Sequence, residues 1–242
     1  LFGLWLVVRR LRGHWWAAAI TWVMALNTSI ITIYARALSQ GIVACLLVWM
    51  LVLLLGEDRR LWQTTLSALL AALIVFVRQN MVPVPFFIVL FIFWAYGKKH
   101  GLYALAAAGL SFAFFHILYW PDILSLWIAY LPRPIKEQAT TLLSRLGRES
   151  TTYGAYQHTR YGLLPEAFSF FEAVRMNFFA FSGLLAAWVF WPRKKEWKNQ
   201  LDYKISICLS ALVSILFALH FWVVFFKGYC LFCFNGYLTF FI

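Results

Sequence analysis

Ile30-Ile-Thr-Ile-Tyr-Ala-Arg-Ala-Leu-Ser-Gln40 closes one long apolar run and opens the next. The run before it, Trp15–Tyr34, is 20 residues long. A hydrocarbon core about 30 Å thick takes roughly that many helical residues. The run therefore reads as a membrane span, with Trp15 and Trp16 at its interface. The junction is too short to leave the membrane surface. It carries one full charge, Arg36, with Tyr34, Ser39 and Gln40 beside it.

Composition supports this reading along the whole chain. Of 242 residues, 63% are hydrophobic and 12% charged. A soluble domain carries about 45–50% apolar and about 25% charged residues. The expected fold is all-α: a polytopic transmembrane helical bundle forming one domain over residues 1–242. The net charge is +12. Its basic residues fall in short clusters between apolar runs, which orient a chain in the bilayer and do not suggest nucleic acid.

Further apolar runs follow in order at Gly41–Gly56, Leu61–Val77, Met81–Tyr96, Leu102–Trp120, Met176–Trp191 and Ile205–Phe226. With Trp15–Tyr34 they make seven full spans. Leu1–Val8 and Leu231–Ile242 read as truncated spans, so a fragment is expected. Pro83 and Pro85 stand at the start of their run, where a missing N–H costs least. Residues 121–175 are mixed polar and form one large loop. Within it, Asp122–Tyr130 reads as an interfacial helix anchored by Trp127, and Ile135–Leu146 as a second helix.

Alternating spans divide the connections into two sets. One holds Arg9, Arg10, Arg12, Arg59, Arg60, Lys98, Lys99, Arg193, Lys194, Lys195, Lys198 and Lys204, 12 basic residues against 4 acidic ones. The other holds 9 basic against 5 acidic residues, spread over a longer loop. The first set is therefore expected in the cytoplasm. Arg36, Arg78 and the 121–175 loop share the outer face.

Arg36 and Arg78 each end a span on that face. A guanidinium fork matches phosphate oxygens, so both are candidates for holding a lipid phosphate. The alternative is snorkelling to headgroups. The outer loop adds Tyr153, Tyr156, His158 and Arg160, groups suited to a sugar or peptide, or to a loop lying on the membrane. His116 and His220 read as packed histidines. Glu166 and Glu172 do not form a paired-carboxylate site at their spacing. Cys230 and Cys233 make a lone C-x-x-C, which without a second pair does not suggest zinc. They are a candidate disulfide on an oxidising face, or two packed thiols. No metal or cofactor motif is present in the sequence, and a divalent metal stays open.

Val8-Arg-Arg-Leu-Arg-Gly13, an apolar span, Tyr34-Ala-Arg-Ala-Leu-Ser-Gln40 and a second span ending in Arg59-Arg60 together resemble the GT-C class of integral membrane glycosyltransferases. Protein O-mannosyltransferases and lipid A aminoarabinose transferases are members of that class. Gln40 stands where the class often carries a Glu. Arg78, the long outer loop and Tyr229-Cys-x-x-Cys233 with Tyr237 match more loosely. The resemblance implies transfer of a sugar from a polyprenyl-phosphate donor to a lipid, glycan or protein acceptor on the outer face of a prokaryotic plasma membrane. It implies Arg36 and Arg78 as donor-phosphate contacts, and Tyr34, Gln40 and the loop residues as candidate acceptor or sugar contacts. The catalytic acid of the class lies in a first outer loop, expected upstream of these residues. The competing readings are a non-catalytic membrane subunit and a lipid or solute transporter. A transporter usually shows inverted repeats, which are not evident here.

Overall fold

The computed structural model describes residues 1–26, 39–128, 133–145, 164, 167–168, 171, 185–197 and 199–227. Among these residues the secondary structure is entirely helical. In chain order the helices are α1 (Phe2–Arg12), α2 (His14–Leu26), α3 (Ser39–Leu54), α4 (Leu61–Val77), α5 (Pro83–Tyr96), α6 (Lys98–Leu118), α7 (Asp122–Ile128), α8 (Arg133–Arg145) and α9 (Gln200–Lys227). Single 3-10 turns occur at Gln79–Met81 and Lys194–Glu196.

Three helical segments among the described residues are long and apolar enough to cross a membrane: Gln79–Tyr96, Lys98–Leu118 and Gln200–Leu219. Gly41–Leu54 and Leu61–Val77 are shorter apolar helices. At 1.5 Å per residue, the 17 residues of α4 reach about 26 Å, a little less than a 30 Å core. The expected span at Trp15–Tyr34 is described only as far as Leu26, and the one at Met176–Trp191 only in its last residues. Large apolar side chains cover much of the outside, Trp15 at 88%, Ile117 at 78% and Leu110 at 71% exposure. Water does not favour such a surface, whereas lipid does.

The chain divides into two compact units. The larger comprises residues 1–108 and 159–242. Its first four helices pack as neighbours, α1 on α2 and α3, and α3 on α4. Small residues set the spacing. Gly3 brings α1 so close to α3 that an added Cβ would stand 2.7 Å from Val48 Cγ1. Buried Ser67, Ala68, Ala71 and Ala72 do the same for α4. The Ser67 hydroxyl donates to the Met50 carbonyl at 3.3 Å, so its polar atom is satisfied inside the packing. Met50, Leu54, Ile74, Ile88 and Ile92 fill the interior between α3, α4 and α5.

The turn between α4 and α5 is tight. Arg78 ends α4, its N–H donating to Ile74 O at 2.8 Å, and its carbonyl accepts from Met81 N–H at 3.0 Å. Pro83 then opens α5 at its first position, where the missing N–H has no intrahelical partner to lose. The opposite turn, between α5 and α6, runs through Gly97 at φ 89, which only glycine adopts without strain.

The smaller unit, residues 109–158, holds the second half of α6 with α7 and α8. These two short helices occupy the places read from Asp122–Tyr130 and Ile135–Leu146. His116 ties α7 to α6. Its Nδ1–H donates to Phe112 O at 2.7 Å, and its Nε2 accepts the Trp127 indole N–H at 2.8 Å. The two rings stack, centroids 5.7 Å apart and 9° from parallel.

Candidate functional site

The polar centre of the larger unit lies where α3 ends. The last carbonyls of any helix lack intrahelical donors. Here three side chains from three elements supply them. Arg10 of α1 donates to Val52 O at 2.7 Å and Leu55 O at 2.9 Å. Arg59, in the α3–α4 turn, also donates to Leu55 O. The Tyr96 hydroxyl at the end of α5 donates its one proton to Leu54 O at 2.5 Å, with Gly56 O at 3.2 Å as a weaker second acceptor of the same proton. Two guanidinium charges so placed also suit the negative end of the helix dipole.

Gly56 makes the arrangement possible. Its φ of 146 belongs to glycine, and a Cβ there would run into the Arg59 guanidinium. Asp58 follows at φ 41, a left-handed conformation that Asp tolerates better than most residues. Burial pulls the Arg59 guanidinium below its usual pKa, and the Arg10 charge adds to this, while the Tyr96 phenol opposes it by accepting a hydrogen bond.

Two further helices reach the same end. Lys204 of α9 donates to Ala95 O at 2.7 Å, capping α5. Its ammonium stands 5.9 Å from the Trp94 ring, and Trp94 meets Tyr203 edge-on at 6.1 Å. His100, in the first turn of α6, pairs with Thr64 at 3.0 Å. Thr64 spends its single hydroxyl proton on Leu61 O, which assigns the shared proton to His100 Nδ1 and leaves Nε2 as an acceptor. Between these groups lies a cavity of about 380 Å³, walled by Arg59, Tyr96, His100 and Lys204, with Glu57 and Asp58 also lining it.

This centre differs from the site read in the sequence. Arg78 lies at the other end of α4, about 26 Å away by helical rise, and is half-buried. Gln40 falls in the first turn of α3. Tyr34, Arg36, Tyr153, Tyr156, His158, Arg160, Cys230 and Cys233 lie outside the described residues. Of the candidate phosphate and sugar contacts only Gln40 and Arg78 are described, at the start of α3 and the end of α4, the end of this helix pair away from the α3–α4 turn. The geometry gathers Arg10, Arg59, Tyr96, His100 and Lys204, which the sequence marked at most as orientation signals. The available hint was that Tyr96 directly precedes Gly97-Lys-Lys-His100, a hydroxyl at the edge of a basic cluster.

Cys45 and Cys208 are free thiols, the first exposed and the second buried. No group of three or more His, Cys, Asp or Glu side chains able to hold a metal occurs among the described residues. No family model, curated protein or solved structure matches the chain.

Proposed function

We propose that this chain is the multi-pass core of a GT-C type glycosyltransferase of a prokaryotic plasma membrane, with seven full spans. It moves a sugar from a polyprenyl-phosphate donor to a lipid, glycan or protein acceptor on the outer face. The observation carrying this reading is Arg78. It is a half-buried guanidinium at the end of an apolar helix, in a reversal only a few residues long. A charge held there stays at the headgroup level of whichever leaflet it meets. The basic clusters at the opposite end argue that this leaflet is the outer one.

In the proposed reaction the acceptor hydroxyl oxygen attacks the anomeric carbon and loses its proton to a carboxylate. The bond from that carbon to the phosphate oxygen breaks, with inversion, and the lipid phosphate departs. Arg78, together with Arg36, holds the phosphate as its negative charge grows. A contact of this kind contributes about 2–4 kcal/mol to the transition state, or about 30–1000-fold in rate.

The test is sugar transfer from a polyprenyl-phosphate donor by full-length protein at matched folded yield. Arg78→Gln and Arg36→Gln should each lose about 30–1000-fold, and the Lys variants, which keep the charge but not the fork, should recover part of it. Near-wild-type turnover in both Gln variants overturns the phosphate role and favours a non-catalytic membrane subunit.

A further inference from the structure

We propose that the cavity walled by Arg59, Tyr96, His100 and Lys204 holds the headgroup of a zwitterionic phospholipid bearing a primary amine, its phosphate on Arg59 and Lys204 and its ammonium on Glu57 and Asp58. The cavity's volume, about 380 Å³, falls in the range of small-ligand sites, about 300–1,000 Å³. Its walls carry charges of both signs. Glu57 and Asp58 are exposed, whereas Arg59 and Lys204 are half-buried. An anionic lipid would bring its charge up to two carboxylates, and a simple cation would face a guanidinium and an ammonium. A zwitterion satisfies both pairs.

Donor accounting supports the phosphate end. Lys204 uses one of its three N–H donors on Ala95 O. Arg59 Nε has no hydrogen-bond partner. Lys204 therefore keeps donors to spare, and Arg59 adds a charge at the cavity wall with one buried N–H unpaired. Phe91 and Ile205 add apolar atoms to the cavity lining, and Trp94 with Tyr203 forms an aromatic pair of the kind found at membrane interfaces. Basic pockets between helices on the cytoplasmic side are a recurring way of binding lipid headgroups. The carboxylates of the α3–α4 turn add selection for the amine. This site lies at the end of the bundle away from Arg78 and does not depend on sugar transfer.

The experiment reconstitutes the full-length protein in discs of equal phosphatidylethanolamine, phosphatidylcholine and phosphatidylglycerol. Lipid retained through a detergent wash is then quantified by mass spectrometry. Phosphatidylethanolamine should be enriched about five-fold over each of the others, the effect of one charge contact near the surface. The double variant Glu57→Gln/Asp58→Asn should bring the ethanolamine-to-choline ratio to about one. Both changes are at exposed turn positions, and Asn accepts the φ of Asp58, so folding is spared. Lys204→Gln should lower retention of all three lipids, and Lys99→Gln, an exposed charge outside the cavity walls, should change nothing. Displacement by millimolar phosphorylethanolamine would support the site with the soluble headgroup as a sufficient ligand. Retention against it would support the site with the lipid as the ligand. Equal retention of the three lipids by the wild type, preference for phosphatidylglycerol, or an unchanged ratio in the double variant each overturn the proposal.

Discussion

Arg10 carries more of the architecture than its place in a basic cluster suggests. It leaves α1 and satisfies two carbonyls at the end of α3, 42 and 45 residues further on. Hydrogen bonds from a charged donor contribute about 1.5–3 kcal/mol each, and removing Arg10 takes this donor from Val52 O, while Leu55 O keeps Arg59. Arg10→Met should therefore lower stability by about 2–4 kcal/mol, and Arg10→Lys by less, as read from thermal unfolding in detergent. Arg9, one residue earlier, lies 4.5 Å over the Trp5 ring and is exposed, so Arg9→Met should cost under about 1 kcal/mol. The sequence showed both arginines but could not separate them, because the partners of Arg10 are backbone carbonyls and every residue has one. His116 was legible as a packed histidine, yet its partner was not. His116→Phe should keep the stack on Trp127 and remove the acceptor for the indole N–H. The Trp127 indole resonance should shift upfield, and stability should fall by about 1–3 kcal/mol.

At the scale of elements, turns decide more than helix interiors. Proline placement and apolar length made α4 and α5 readable almost to the residue, because those signals are local, whereas α6 begins at Lys98, four residues before the apolar run read from Leu102, since a lysine-rich first turn is helical without being apolar. The geometry of the α3–α4 turn was not readable, since it depends on where the Arg59 guanidinium lies. Three glycines separate the effects. Gly56→Ala meets a φ reserved for glycine and displaces the Arg59 guanidinium from Leu55 O, and should cost about 2–4 kcal/mol. Gly97→Ala meets the φ strain alone, with open space around the new Cβ, and should cost about 1–2 kcal/mol. Gly109, inside α6 with nothing within 4 Å, should gain about 0.5–1 kcal/mol on change to Ala. Thermal unfolding of the three variants should preserve this order. A Gly56→Ala protein as stable as Gly97→Ala would remove the role given to Arg59.

For the whole molecule, the hydrogen bonds of Arg10, Arg59, Tyr96, His100 and Lys204 collect the ends of α1, α3, α5 and the starts of α4, α6 and α9 at one end. Of the basic residues assigned to one side by the charge count, Arg10, Arg59 and Lys204 meet at this end through these contacts. In a variant with Cys45, Cys208, Cys230 and Cys233 replaced, single cysteines at Arg60, Lys99 and Lys194 should label from the cytoplasm. One at Asn80 should label from outside. Labelling of Asn80 and Lys99 from the same side would break the alternation on which the proposed orientation rests. The cavity at the basic end stayed hidden in the sequence for a related reason. Arg59 and Lys204 were counted in the sequence as orientation charges and also line the cavity, and only their contacts tell the two roles apart. The shared carbonyls at the end of α3 also impose a timetable on a growing chain. Arg10 has left the ribosome before its acceptors exist, Arg59 follows them at once, and Tyr96 arrives 42 residues after Leu54. At roughly 5–20 residues per second, the third clasp closes about 2–8 s after its acceptor is made. During that interval Arg10 and Arg59 alone hold the end of α3, and the Leu54 carbonyl waits for its side-chain donor.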